Sequence, residues 1–130
     1  MKLNEYFENA RGTGVLATAD EDGFVDVALY ARPHVINDTT VAFIMADSRS
    51  HHNLKSNPHA AYLFMESSKK YTGMRLYLTK TSEEKNSERI TSLRRKQHVI
   101  GDKESAERDR YLAYFQIDET RPLLGNHSDL

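Results

Sequence analysis

The sequence predicts a mainly β chain with short helices, folded as a six-stranded antiparallel barrel. Three observations carry that expectation. Six segments are apolar or alternate with period two, as strands do. Most are joined by short polar turns, with one small helix between the third and fourth and a second helix before the last. The regular strand–helix alternation of a doubly wound parallel sheet is missing.

Leu3, Tyr6, Phe7 and Ala10 recur at helical spacing, so residues 3–10 form a short amphipathic helix, which Gly12 and Gly14 break. Val15–Ala19 is the first strand. Asp20-Glu21-Asp22-Gly23 turns the chain, with Gly23 supplying the positive φ of a tight hairpin. Phe24–Ala31 is the second strand. Phe24, Asp26, Ala28 and Tyr30 share one face, and Val25, Val27, Leu29 and Ala31 share the other. Arg32-Pro33 interrupts it, because Pro33 has no amide hydrogen for a ladder, and His34–Ile36 continues it. After Asn37-Asp38 comes Thr39–Ala46, a third and strongly apolar strand. Asp47 or Ser48 caps a helix over 48–57. Pro58 stops it, since the residue before a proline is pushed out of the helical region.

Ala60–Met65 is the fourth strand, and the polar stretch 66–72, closed by Gly73, leads to the fifth, Met74–Thr81. Ser82 caps a helix over 82–96. Glu83 and Glu84 stand early in it and Arg94, Arg95 and Lys96 late, as the helix dipole favours, but only Ile90 and Leu93 give it an apolar face. Gln97–Asp109 is polar and reads as a loop or a helix extension. Tyr111–Ile117 is the sixth strand, and the tail beyond Pro122 is irregular. Tyr62, Tyr77, Tyr111, Tyr114 and Phe115 are expected in the core or at an interface between two copies.

A chain of 130 residues is expected to form one domain over 1–130. Apolar residues make up 38% and charged residues 28%, an ordinary globular balance. Lys and Arg number 18 against 19 Asp and Glu, a net charge of −1, so no broad field favours nucleic acid or an anionic membrane. The longest apolar runs, Val41–Ala46 and Ala60–Met65, fall far short of a spanning helix, which needs about 20 residues. Met1-Lys2-Leu3-Asn4-Glu5 lacks the apolar segment of a signal peptide, and a cytoplasmic protein is expected. With no cysteine, disulfides, thiolate catalysis and Cys-based zinc or iron–sulfur sites are excluded. His51 and His52 are neighbours that point about 100° apart on a helix, and His59 lies beyond Pro58, so no metal site is expected.

Binding chemistry concentrates in Val41–Pro58, VAFIMADSRSHHNLKSNP. A buried strand leads to a helix start that holds Ser48, Arg49 and Ser50. Free amides, the positive end of the helix dipole and a guanidinium fork would converge there on a phosphate or carboxylate. The same residues also read as an ordinary serine cap beside a solvated arginine.

From Gly14 to Phe64 the order of segments resembles the FMN-binding split-barrel family, the group related to pyridoxamine 5′-phosphate oxidase. A strand–turn–strand unit is followed by Ser48-Arg49-Ser50, then Asn53-Leu54, then Asn57-Pro58. The resemblance covers residues 3–81 well and the C-terminal third loosely. It implies a split barrel, FMN as cofactor, a crevice between the subunits of a homodimer, and flavin-dependent oxidoreductase activity on a small molecule with a nicotinamide or another electron donor. A non-catalytic FMN-binding or electron-transfer protein, and a haem-binding protein on the same fold, are the alternatives; for haem, His127 is a further candidate ligand. By the same resemblance, Arg49 and Ser50 hold the FMN phosphate, with Ser48 beside them. Val27, Ala28, Leu29 and Tyr30 border the isoalloxazine ring, Ile44 and Met45 lie on its other side, Arg32 matches a basic position of some members, and Asn53 completes the set. One of the aromatics could stack on the flavin. Two departures weigh against vitamin B6 chemistry. Ser50 stands where a second cation is common, and the chain is much shorter than the oxidases, without their Arg-rich C-terminal segment. No catalytic side chain is implied, because flavin carries the redox chemistry itself.

Overall fold

Period-two alternation drives segments of this chain into strands that bury one face each. In the computed structural model, which describes residues 2–96 and 109–125, there are seven such strands rather than six. The order is α1 (Leu3–Asn9), β1 (Gly12–Ala19), β2 (Val25–Leu29), β3 (His34–Asn37), β4 (Thr40–Ala46), α2 (Arg49–Ser56), β5 (His59–Glu66), β6 (Gly73–Lys85), α3 (Glu88–Lys96) and β7 (Arg110–Pro122). The polar stretch 97–108 and the tail beyond Gly125, with His127, lie outside the described residues.

All pairings are antiparallel, in the order β2-β1-β5-β6-β7-β4-β3. The extra strand is β3. It does not continue β2, because the break at Arg32-Pro33 carries the chain to the opposite edge of the sheet, where β3 pairs with β4. No ladder joins β2 to β3, so the sheet is unclosed rather than a sealed barrel. It still curls: Tyr30, just past β2, packs edge-to-face on Phe43 of β4 with ring centroids 5.9 Å apart.

Two further expectations are corrected. Gly12 and Gly14 lie inside β1 instead of preceding it. A Cβ on Gly14 would stand 1.9 Å from the Tyr62 hydroxyl oxygen, so the bare Cα is what lets β1 close over that side chain. The helix expected over 82–96 begins only at Glu88, because the β6–β7 ladder runs on to Lys85↔Tyr111. Asn86, at φ 52°, then turns the chain, and its side chain bonds Asp109 and the Arg110 amide. Ser82 is therefore a strand residue, and so are Glu83 and Glu84.

The main core gathers Leu16, Phe43, Met45, Tyr62, Phe64, Leu76 and Phe115, with Phe7 from α1 and Leu54 from α2. On the sheet's other face Ala42, Leu112 and Tyr114 pack under Ile90 of α3. Tyr111 is partly buried against the main core, and Tyr77 lies under the Arg121 guanidinium at 5.4 Å. Among the described residues no helix is long and apolar enough to cross a membrane.

Candidate functional site

The site grows from the junction of β4 and α2. Ser48 has an extended backbone and caps α2, its Oγ accepting the His51 amide at 3.4 Å. Two residues on, Ser50 is 1% exposed and its Oγ has no hydrogen-bond partner among the described residues. Arg49 is exposed, and no hydrogen bond or ion pair ties it to any described residue. The first amides of a helix have no acceptor inside the helix. A cavity of about 420 Å³ opens onto this helix start. Its walls are Asp26, Ala28 and Leu29 of β2, Tyr30 and Ala31 beyond it, Ile44 and Ala46 of β4, and Ser48, Arg49 and Ser50. A buried hydroxyl without a partner costs about 1–3 kcal/mol, a cost that a ligand acceptor atom placed here would remove. One end of the cavity thus offers donors and positive charge, and the other an apolar surface.

Two buried contacts hold this arrangement in place. Tyr62 Oη donates to the carbonyl oxygens of Tyr30 and Ala31, at 3.2 and 3.1 Å, which fixes the backbone of one wall. Burial raises the pKa of this phenol, so it stays a donor. His51, the next residue after Ser50, is fully buried. Its Nε2 lies 2.9 Å from Glu83 Oε1, and its ring stacks on Tyr111 with centroids 3.7 Å apart. Lys80 Nζ reaches the same Glu83 oxygen at 2.5 Å. Burial pulls the Glu83 carboxyl upward, but Lys80 and His51 outweigh it and hold the group below the usual carboxylate range. His52 and His59 are exposed. Among the described residues no three His, Cys, Asp or Glu side chains cluster to hold a metal.

A family model described as pyridoxamine 5′-phosphate oxidase matches residues 2–123, nearly the whole chain. The chain belongs to this family. Several solved structures share its fold. An FMN-binding protein from Syntrophomonas wolfei subsp. wolfei aligns with a TM-score of 0.77 at 16% identity, over 97% of this chain and 86% of that one. HutZ, the heme storage protein from Vibrio cholerae, aligns at 0.70 with 20% identity, over 94% and 95%. An F420 reductase aligns at 0.67 with 16% identity, over 92% and 97%. No curated protein matches the sequence. Such identities establish the fold. The names of the three structures differ in the ligand they give, so the choice of ligand falls to the residues of this chain.

Of the residues expected from the family resemblance, Ala28, Leu29, Tyr30, Ile44, Ser48, Arg49 and Ser50 come together around the cavity. Four do not. The Val27 side chain is on the outer face and 66% exposed, because neighbours along a strand point opposite ways. Met45 is fully buried in the main core for the same reason, one position from Ile44. Arg32 Nη1 donates to the carbonyl oxygens of Phe7 and Ala10 at 2.6 and 2.9 Å, bracing the end of α1 beside a different cavity of about 240 Å³. Asn53 is buried between helix and sheet, its Nδ2 donating to Thr18 Oγ1 at 3.1 Å. Asp26 and the His51–Glu83 pair were not foreseen. Asp26 left a signal, a carboxylate on one face of a strand, where aspartate is depleted. Glu83 left none, since it stands 32 residues from His51 in a segment that reads as a helix start.

Proposed function

We propose that this chain binds FMN in the cavity at the start of α2 and uses it, as a homodimer, for redox chemistry on a small molecule. The observation that carries this reading is the buried, unpartnered Ser50 Oγ beside the uncommitted Arg49 guanidinium at a helix N-terminus. A phosphate oxygen suits all three donors: it accepts from the hydroxyl, from the guanidinium fork and from the first helical amides. The apolar end, with Ala28, Tyr30 and Ile44, suits a planar ring. Flavin, when bound, supplies the electron transfer. The residues of the chain anchor the phosphate, orient the ring and limit access of water. Haem needs an axial ligand, and among the described residues that line the cavity Tyr30 is the one side chain of a type that serves as one. Reduction of the bound flavin by NADH or NADPH in steady state separates an enzyme from a carrier.

The sheet's outer face supports the homodimer reading. Leu29 of β2, Val15 of β1 and Leu63 of β5 stand side by side in register, with Val25, Val27 and Met65 around them. Val25, Val27 and Leu29 are 80%, 66% and 77% exposed. A second copy laid on this face buries them, and β2 then carries the interface on one side and the cavity wall on the other.

The test is a set of dissociation constants for FMN and riboflavin. Removing a charge-assisted hydrogen bond costs about 1.5–3 kcal/mol, so Arg49→Ala should weaken FMN binding about ten- to a hundredfold. Riboflavin, which lacks the phosphate, should bind both proteins alike. Equal loss of both ligands would overturn the phosphate assignment.

A further inference from the structure

We infer that Asp26 accepts hydrogen bonds from the hydroxylated chain of the bound ligand and so makes the site prefer a flavin that carries a ribityl chain over the bare ring. This rests on the FMN reading above. Asp26 lines the cavity from the inner face of β2, with Ala28 and Tyr30, while Val25 and Val27 on either side of it point outward. Aspartate is among the residues strands disfavour. The fold gives this one no compensation: it is partly buried, and no hydrogen bond or ion pair joins it to any described residue.

Its place along the cavity says which part of a ligand it meets. Asp26 is the register partner of Thr18, and Thr18 is bonded to Asn53, one helical turn beyond Ser50. Asp26 therefore belongs to the polar end. Ala28 and Tyr30 follow on the same face at steps of about 7 Å, toward the apolar end. A flavin with its phosphate on Arg49 and Ser50 and its ring against Ala28 and Tyr30 runs its linking chain past Asp26. An ionised carboxylate only accepts hydrogen bonds. A phosphate near neutral pH is also anionic and rich in acceptors, so the two repel. The hydroxyls between phosphate and ring are the donors within this stretch of the ligand.

The experiment titrates the full chain, stripped of flavin, with FMN, riboflavin and lumiflavin, whose ring bears a methyl in place of the chain. Asp26→Ala should weaken FMN and riboflavin about tenfold each and leave lumiflavin unchanged. Asp26→Asn, which keeps an accepting oxygen at the same place, should recover part of that loss, and a melting curve of each variant checks the fold. Three results overturn the inference alone, provided the wild type binds FMN more tightly than riboflavin. They are equal loss of lumiflavin, tighter FMN binding with riboflavin unchanged, and no change in any ligand. A wild-type chain that binds none of the three overturns the FMN reading and this inference with it.

Discussion

The outer face of the sheet is covered over one half and bare over the other. Across β4 and β7, α3 lays Ile90 on Ala42, Leu112 and Tyr114, with Leu93 and Ile36 packed alongside. Across β2, β1 and β5 no helix of the described residues lies, and Val25, Val27, Leu29, Leu63 and Met65 are exposed. Both halves are apolar with the same period of two, so patterning marks a face that gains from burial without saying what buries it. The covered half completes itself within one chain. The bare half shares a strand with the cavity, since β2 turns Val27 outward and Ala28 inward. Covering it with a second copy would link subunit association to ligand binding through one strand.

The bare half is most easily disrupted at Val27. Val27→Glu puts a charge in the middle of the bare half, and burying an unpaired charge costs several kcal/mol. Sedimentation should show a dimer turned into a monomer, with flavin content falling alongside and the monomer's melting behaviour little changed. A Val27→Glu protein that stays dimeric would remove this face as the interface.

The matching change in the covered half is Ile90→Ala. Ile90 is 4% exposed, and truncating a buried isoleucine costs about 2–5 kcal/mol. Here the loss should appear in the unfolding free energy of each subunit, with the dimer intact. An equal effect of Ile90→Ala on association would mean that the two halves are not independent.

The smallest effect sharpens the link between α2 and the sheet. The folded-state pKa of Glu83 is depressed by Lys80 and His51. Its contribution to stability is therefore present above the ordinary glutamate pKa and lost as pH falls through the lowered folded value. Glu83→Gln should flatten that acid limb of the stability profile. The Glu83 side chain is only partly exposed and faces two partners, so the carboxylate's contribution is about 1 kcal/mol. Denaturant midpoints across the acid range, wild type against variant, measure it. A parallel drop in both would mean that the carboxylate adds nothing.

Much of this was legible beforehand. The cap at Ser48 and the stop at Pro58 bounded α2 to within a residue, because capping and the restriction before proline act on neighbours. The phosphate-side residues Ser48, Arg49 and Ser50 were legible for the same reason, since one helix start brings adjacent residues together. Strand parity, also local, already separated Val27 from Ala28 and Ile44 from Met45; family resemblance had grouped them as if a strand had one side.

What only the tertiary structure decided involves partners distant in sequence. The departure of β3 to the far edge depends on where β4 lies, and β4 is placed by β7, more than half the chain away. The length of β6 was hidden because Ser82-Glu83-Glu84 is a good helix start by local chemistry. The β7 ladder holds those residues extended instead, and a paired strand offers backbone hydrogen bonds that an exposed helix turn with few apolar contacts cannot outweigh. That outcome in turn set Glu83 beside His51. Local geometry repeats every few residues and can be read from the sequence; which distant strand supplies the ladder depends on packing across the whole sheet, and no short stretch of this chain contains it.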